Sequence, residues 1–371
     1  MKRRLLSIST IVLLVVLVTI VGMTLLSGCS AEPASAASAT AVSTSDVTPP
    51  AASGGSPAEH VAAVTGPSVV NVRVSGTVAS PFFGNQPYEG VGSGVIYSSD
   101  GHIITNAHVV TQNGKLADAV DVTLSTGATV PATIVATDSF ADIAVIKVDE
   151  SGLKPATFAT ESTLAIGEYA IAIGSPLDYR NSVTLGIVSG LGRGIENAGS
   201  TALVDLIQTD AAISPGNSGG ALCDEEGRVI GINVAYMPPN TSGAENIGFA
   251  IPAATAVKVA QELIDNGHAN HAYLGISYMS VTNALQEQYH LSKDAGVLVT
   301  ALDPQGPAAT AGLKAGDVIT ELQGKPVVSE TDMILVLRDL QGGDQVPVKV
   351  DRDGKTVDLT ITVGERSTST T

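Results

Sequence analysis

Gly216-Asn217-Ser218-Gly219-Gly220 is the stretch that decides how this chain reads. A serine set between Gly-Asn and Gly-Gly suits a tight turn whose amide N–H groups converge beside the hydroxyl. Glycine permits backbone angles closed to other residues and lets another backbone come close. An acyl-transfer nucleophile needs that combination, an exposed oxygen next to donors for a developing oxyanion. Glycine-rich serine turns are common, so the meaning of this one rests on the rest of the chain.

Two stretches upstream supply that meaning. Thr105-Asn106-Ala107-His108-Val109-Val110 reads as a strand ending on a histidine. Between it and the serine, Asp138-Ser139-Phe140-Ala141-Asp142-Ile143-Ala144-Val145 sets an acid directly before an apolar strand. Serine is a weak nucleophile until a base takes its proton. The imidazole that does so needs a carboxylate to hold its tautomer and stabilise its cation. The chain carries one of each, in the order His108, Asp142, Ser218, with Asp138 as a rival acid and Ser214, outside the glycine setting, as a rival serine.

Around these residues, strand signals dominate residues 61–251, at 68–74, 94–97, 102–105, 120–124, 132–136, 143–148, 169–173, 183–191, 207–210, 228–234 and 248–251. They are short, rich in Val, Ile and Thr, and separated by turn residues, which predicts antiparallel barrels or sandwiches rather than a parallel sheet. Pro252 opens a helical stretch to Asn266 with Val257, Ala260, Leu263 and Ile264 on one face and Gly267 as the stop. The polar residues 266–271 read as a hinge, after which strands surround brief helices at 307–313 and after the capping box Ser329–Asp332.

Composition narrows the function. The 371 residues carry a net charge of −17, 44% apolar residues, 4% aromatics and no Trp. A mainly aliphatic core follows, and the acidity without a Lys/Arg stripe excludes nucleic acid as a partner. Lys2-Arg3-Arg4, an apolar run over residues 5–26 and the ending Leu26-Ser27-Gly28-Cys29 form an export signal. That ending resembles a bacterial lipobox, which would make Cys29 the lipidated N-terminus; the alternative is a transmembrane anchor. Either way the rest of the chain lies outside the cytoplasm, held to the membrane of a cell envelope. Cys223 then has no disulfide partner and reads as a small buried apolar residue. The histidines outside the His108 stretch lack metal-ligand spacing.

Thr-Asn-Ala-His, Asp-Ile-Ala-Val and Gly-Asn-Ser-Gly-Gly together resemble the three signature blocks of the HtrA/DegP family of trypsin-like serine proteases. The resemblance covers nearly all of residues 61–364 and implies a mainly β chain, a trypsin/chymotrypsin-like double β-barrel followed by one PDZ domain. Together with the export signal and the Ala-, Ser-, Thr- and Pro-rich stretch after it, which cannot bury a core, it divides the chain into a lipoprotein-type signal peptide (1–28), a disordered tether (29–60), the protease domain (61–267), the PDZ domain (268–364) and a flexible tail (365–371). It implies His108 as general base, Asp142 as its orienter and Ser218 as nucleophile. The oxyanion hole falls at Gly216, Asn217 and Ser218, the amides of Gly216 and Ser218 donating and Asn217 shaping the turn.

Two departures from digestive relatives matter. The residue before the serine is uncharged Asn217, so activation by an ion pair to a new N-terminus is closed to this chain, and control falls to loops at 177–181 and 236–245. Six residues before the serine, where an acid would select Lys or Arg, stand Ala212 and then Ile213. That apolar floor predicts cleavage after Val, Ala, Ile or Leu.

In the C-terminal region Tyr273-Leu274-Gly275-Ile276 resembles the carboxylate-binding loop of a PDZ module, with Ile334 and Leu337 expected to complete the groove. Peptide C-termini are the implied ligands. The family resemblance further implies a homotrimer without cofactor or metal, degrading unfolded or damaged proteins without ATP. Rival readings are a chaperone that holds clients through the PDZ groove, and a signalling protease dedicated to one membrane partner.

Overall fold

Alternating valines close the first barrel. In the computed structural model, which describes residues 55–80, 84–161, 163–175, 181–195, 203–236 and 246–368, a capped helix α1 (Pro57–Val64) leads into that barrel. Its strands are β1 (Val69–Ser80), β2 (Gly84–Ile96), β3 (His102–Thr105), β4 (Ala119–Thr123), β5 (Thr129–Asp138) and β6 (Ile143–Val148). They join in the closed order β1-β2-β3-β6-β5-β4. On β4, Val120 and Val122 point inward while Ala119 and Asp121 are exposed, the two-residue period of a half-buried strand. Ile103, Ile146 and Val122, fully buried, fill the middle.

A second closed barrel follows, from β7 (Tyr169–Gly174), β8 (Ser182–Ile195), β9 (Leu203–Thr209), β10 (Ala221–Cys223), β11 (Val229–Tyr236) and β12 (Gly248–Pro252), in the order β8-β9-β12-β11-β10-β7. A four-residue helical turn, α2 (Ala107–Val110), follows β3, and helix α3 (Ala253–Asn266) packs back on the two barrels. Gly267 stops it in the left-handed region, donating to the Leu263 carbonyl at 3.0 Å. Its buried stripe is Ala256, Val259, Ala260 and Leu263, one position round from the expected face, leaving Val257 and Ile264 half-buried.

The C-terminal region is built on a sheet of β14 (Ile276–Ser280), β15 (Val297–Leu302), β16 (Val318–Leu322), β17 (Gln345–Arg352) and β18 (Lys355–Thr362), in that order. Beside it, β13 (Ala269–Tyr273) pairs with β19 (Gly364–Thr368). The helices are α4 (Asn283–Tyr289), α5 (Pro307–Thr310) and α6 (Glu330–Arg338). Ser329 and Asp332 form the expected capping box on α6. Val299, Ile319, Met333, Val350 and Ile361, all fully buried, form this region's core.

Several expectations are corrected. The end of the expected tether is ordered: residues from Pro57 onward are helical because Ser56 and Glu59 cap them reciprocally and Val61 is buried. The expected hinge and flexible tail instead pair with each other, Ala269 opposite Thr368 and Tyr273 opposite Gly364. Their backbone polar groups satisfy one another, which neither segment's polarity could reveal. The strands at 94–97 and 132–136 extend to 84–96 and 129–138, and helix α4 stands where sequence periodicity showed none. The signal segment, Cys29 and most of the loops at 177–181 and 236–245 lie outside the described residues. Among the described residues no helix is long and apolar enough to cross a membrane.

Candidate active site

His108 sits one residue into the turn of helix α2, which follows strand β3 through Asn106. The sequence places it directly at a strand end; a four-residue helical turn intervenes and swings it over the start of β6. Asp142, the residue before β6, has φ 53°, a left-handed value that Asp tolerates better than most side chains. From there it holds the histidine turn in four ways. Its carbonyl accepts from Ala107 N at 3.2 Å and from Asn106 Nδ2 at 3.0 Å. Its carboxylate accepts from His108 N at 2.9 Å and meets His108 Nδ1 at 2.7 Å.

That last contact sets the tautomer. A carboxylate only accepts, so Nδ1 carries the proton and the neutral ring keeps its lone pair on Nε2. The Asp142 side chain is 8% exposed, while the His108 ring is 48% exposed and open to a reactant. Burial pulls the His108 pKa down, but the hydrogen bond and the charge of Asp142 outweigh it and hold the group above the ordinary 6.5.

The Gly216–Gly220 turn packs against the first barrel, where Ser93 N donates to Ser218 O at 2.8 Å. Gly92 marks the approach: a Cβ there would stand 2.7 Å from Val109 Cγ1 and 3.2 Å from the Ser218 carbonyl. Gly219 has φ 84°, and a Cβ on it would collide with the Ser93 carbonyl and Thr105 Oγ, so both positions exclude side chains. Gly219 N and Asn233 N make reciprocal bonds, to Asn233 O at 2.8 Å and to Gly220 O at 2.9 Å. Ser218 Oγ donates to the Val234 carbonyl at 3.2 Å, and no hydrogen bond joins it to His108 in this structure.

Among the other sequence candidates, Asp138 is placed away from His108. It is fully buried and accepts from Phe140 N at 3.1 Å, Ala141 N at 3.2 Å and His271 Nε2 at 3.0 Å. Asn217 N donates to Ser214 O at 2.9 Å and is thereby committed to shaping the turn. Gly216 N and Ser218 N, the two expected oxyanion donors, bond no protein acceptor among the described residues. Ala212 is exposed, whereas Ile213 is 6% exposed and packs in the second barrel's core with Ala170 and Leu222. Ile213 therefore supplies core, contrary to its expected place in a substrate pocket.

In the C-terminal region Tyr273 ends β13, Leu274 is buried, Gly275 turns with φ 77° and Ile276 opens β14. Leu274 O and Gly275 O accept from Ala308 N and Asp303 N, each at 2.9 Å, which fixes the loop. β14 is an edge strand, bonded among the described residues to β15 alone. Leu337 packs on the local core, but Ile334 is corrected: it lines a cavity with Phe140, Leu203, Val259, His271 and Arg338. One helical turn separates Ile334 from Arg338, so both face the protease region. Sequence reasoning also passed over Ser93, Thr105 and His271, whose roles depend on partners more than ten residues away; only the Gly-Ser-Gly of 92–94 hinted at close backbone packing.

Comparison with known proteins finds relatives of both regions. Residues 92–232 match the trypsin-like peptidase domain family and residues 272–363 the PDZ domain family. A probable periplasmic serine endoprotease, DegP-like, of Pseudomonas savastanoi pv. phaseolicola is 41% identical over 276 residues, covering 74% of this chain and 56% of that protein. The chain thus spans about half the length of the curated relatives of that type that it matches. A putative serine protease, HhoB, of Synechocystis sp. is 38% identical over 318 residues, covering 78% of this chain and 74% of that protein. Among solved structures, the HtrA-type protease AlgW with a decapeptide superposes with a TM-score of 0.69 at 33% identity, covering 83% of this chain and 98% of that one.

Proposed function

The chain belongs to the HtrA family of trypsin-like serine proteases, and from that premise we propose that it is an ATP-independent endoprotease of the cell envelope that degrades unfolded or damaged proteins. The observation that carries this reading is the paired grip of Asp142 on His108, through the backbone N–H and Nδ1 together. It fixes the ring by two bonds and leaves the lone pair on Nε2 free to take a proton.

In the proposed reaction the Ser218 hydroxyl turns from the Val234 carbonyl to His108 and gives up its proton to Nε2 as Oγ attacks the scissile carbonyl. The N–H groups of Gly216 and Ser218 receive the developing oxyanion. Asp142 stabilises the imidazolium, which then protonates the leaving amine. Water, deprotonated by His108, releases the acyl group. An open floor at Ala212 favours small aliphatic residues before the cut. The exposed edge of β14, with the fixed loop 273–276 at its start, suits an extended peptide ending in a carboxylate.

The relatives named periplasmic support an extracytoplasmic location. Lipidation at Cys29 and assembly into a homotrimer are further parts of the proposal, resting on the lipobox and on family membership. The test is digestion of unfolded β-casein by the protein beside its Ser218→Ala variant, with fragments mapped by mass spectrometry. Cuts after Val, Ala, Ile or Leu that vanish in the variant are expected. Casein bound but uncut, with PDZ-directed peptides also without effect, would overturn the protease reading in favour of a holding protein.

A further inference from the structure

Ser93 makes more hydrogen bonds across the seam than the proposed mechanism uses. It lies on β2 in the first barrel and is fully buried. Its N–H donates to Ser218 O at 2.8 Å, and its carbonyl accepts from Thr105 Oγ at 2.6 Å. Its hydroxyl donates to Gly216 O at 2.7 Å and accepts from Ser175 N at 2.7 Å. An amide N–H and a carbonyl fix the roles: Ser175 N donates to one of the hydroxyl's two lone pairs, and the hydroxyl proton goes to Gly216 O.

The two acceptors on the nucleophile turn are telling. Gly216 O belongs to the peptide plane between Gly216 and Asn217; Ser218 O belongs to the plane after Ser218. Between and before them lie the two amides that would face an oxyanion. Gly216 has φ 94° and no side chain, and within the turn that plane has one hold, the Asn217 N bond to Ser214 O at 2.9 Å; Ser93 supplies a second from the first barrel. We propose that Ser93 is a positioning residue for acyl transfer: from the first barrel it clamps the peptide planes that follow Gly216 and Ser218, the two that flank the Asn217–Ser218 peptide, and so aims the Gly216 and Ser218 amides at one point. This rests on the serine-protease reading. Aim matters because an oxyanion donor contributes only when it meets the charge at hydrogen-bond distance.

The test compares wild type, Ser93→Ala and Ser218→Ala on a chromogenic peptide, together with binding of a peptide boronate. The boronate forms a tetrahedral adduct whose oxygen takes the oxyanion's place. Ser93→Ala is expected to lower kcat about 10- to 100-fold with KM nearly unchanged, below the loss for deleting a donor outright. Boronate affinity should fall in parallel. The acid limb of the kcat/KM profile should stay where it is, because the Asp142–His108 pair is untouched; a general loosening of the fold would move KM and the limb together.

Ser93→Ala with wild-type kcat and boronate affinity overturns the proposal while leaving the protease reading intact. A wild type that neither cleaves nor binds boronate sinks both at once. If Ser93→Ala does not fold, Ser93→Cys, of similar size with a weaker donor, carries the test: a reduced kcat at constant KM supports the clamp, and an unchanged kcat overturns it.

Discussion

With His108 as the proposed base, the Asp142–His108 pair should couple pH to activity and to stability with opposite signs. With the His108 pKa held above 6.5, the base is protonated, and so inactive, until the pH exceeds that raised value. The acid limb of kcat/KM should therefore lie above pH 6.5 rather than at it. Stability runs the other way. The pair's contribution is full below the unfolded-state value and is lost as the pH rises through the folded one. Asp142→Asn removes the charge while keeping the shape, so it should move the acid limb down and cut kcat by about 10⁴-fold through loss of the tautomer lock. A pH–rate profile of both proteins checks this; an unmoved limb would mean that Asp142 does not set the His108 pKa.

Among the elements of the C-terminal region, strand β17 ends on Arg352, which pairs bidentately with Asp317. The guanidinium meets the two carboxylate oxygens at 2.7 Å each and also donates to Gly312 O at 2.9 Å. Asp317 is 1% exposed and fastens the turn before β16, where its carboxylate also accepts from Lys314 N at 2.8 Å. Removing the cation leaves a buried carboxylate with only an amide, a change that costs about 3 kcal/mol or more. Arg352→Ala should therefore lower the unfolding midpoint of this region in a denaturant titration. Ser218-dependent hydrolysis of a short peptide should be spared. A midpoint equal to wild type would show the pair to be energetically idle.

At the scale of the molecule, helix α6 ties the C-terminal region to the second barrel. Arg338 reaches Asp205 Oδ2 at 2.6 Å and Thr255 Oγ at 3.3 Å, and Lys258 Nζ donates to the Arg338 carbonyl at 3.4 Å. On the other side His271 meets both Asp138 and the ring of Phe140, with ring centroids 4.5 Å apart. Asp138 lies four residues before Asp142, so this contact borders the loop that positions the proposed base. Arg338→Asp should increase hydrogen exchange over residues 203–209 and 330–338, and adding Asp205→Arg should restore protection. Exchange that is unchanged in the single variant would mean the apolar packing of Ile334 holds the regions together without the ion pair.

The residues of the candidate site stand out in the chain alone because the constraints on them are local. Gly219 needs a left-handed backbone, an acid precedes an apolar strand at Asp142, and alternating Val and Ile define barrel strands. The capping boxes at Ser56 and Ser329 follow the same logic, although only the second was read. What the tertiary structure alone decided depends on partners distant in sequence. It gives the rival acid Asp138 a partner far away in sequence, His271, while Asp142 meets His108. It pairs the polar segment 269–273 with 364–368, turns Ile334 toward the protease region, and puts Ser93 against the nucleophile turn. Each of those hydrogen bonds or contacts forms only once the chain has closed a long loop, so no periodicity or local propensity encodes it.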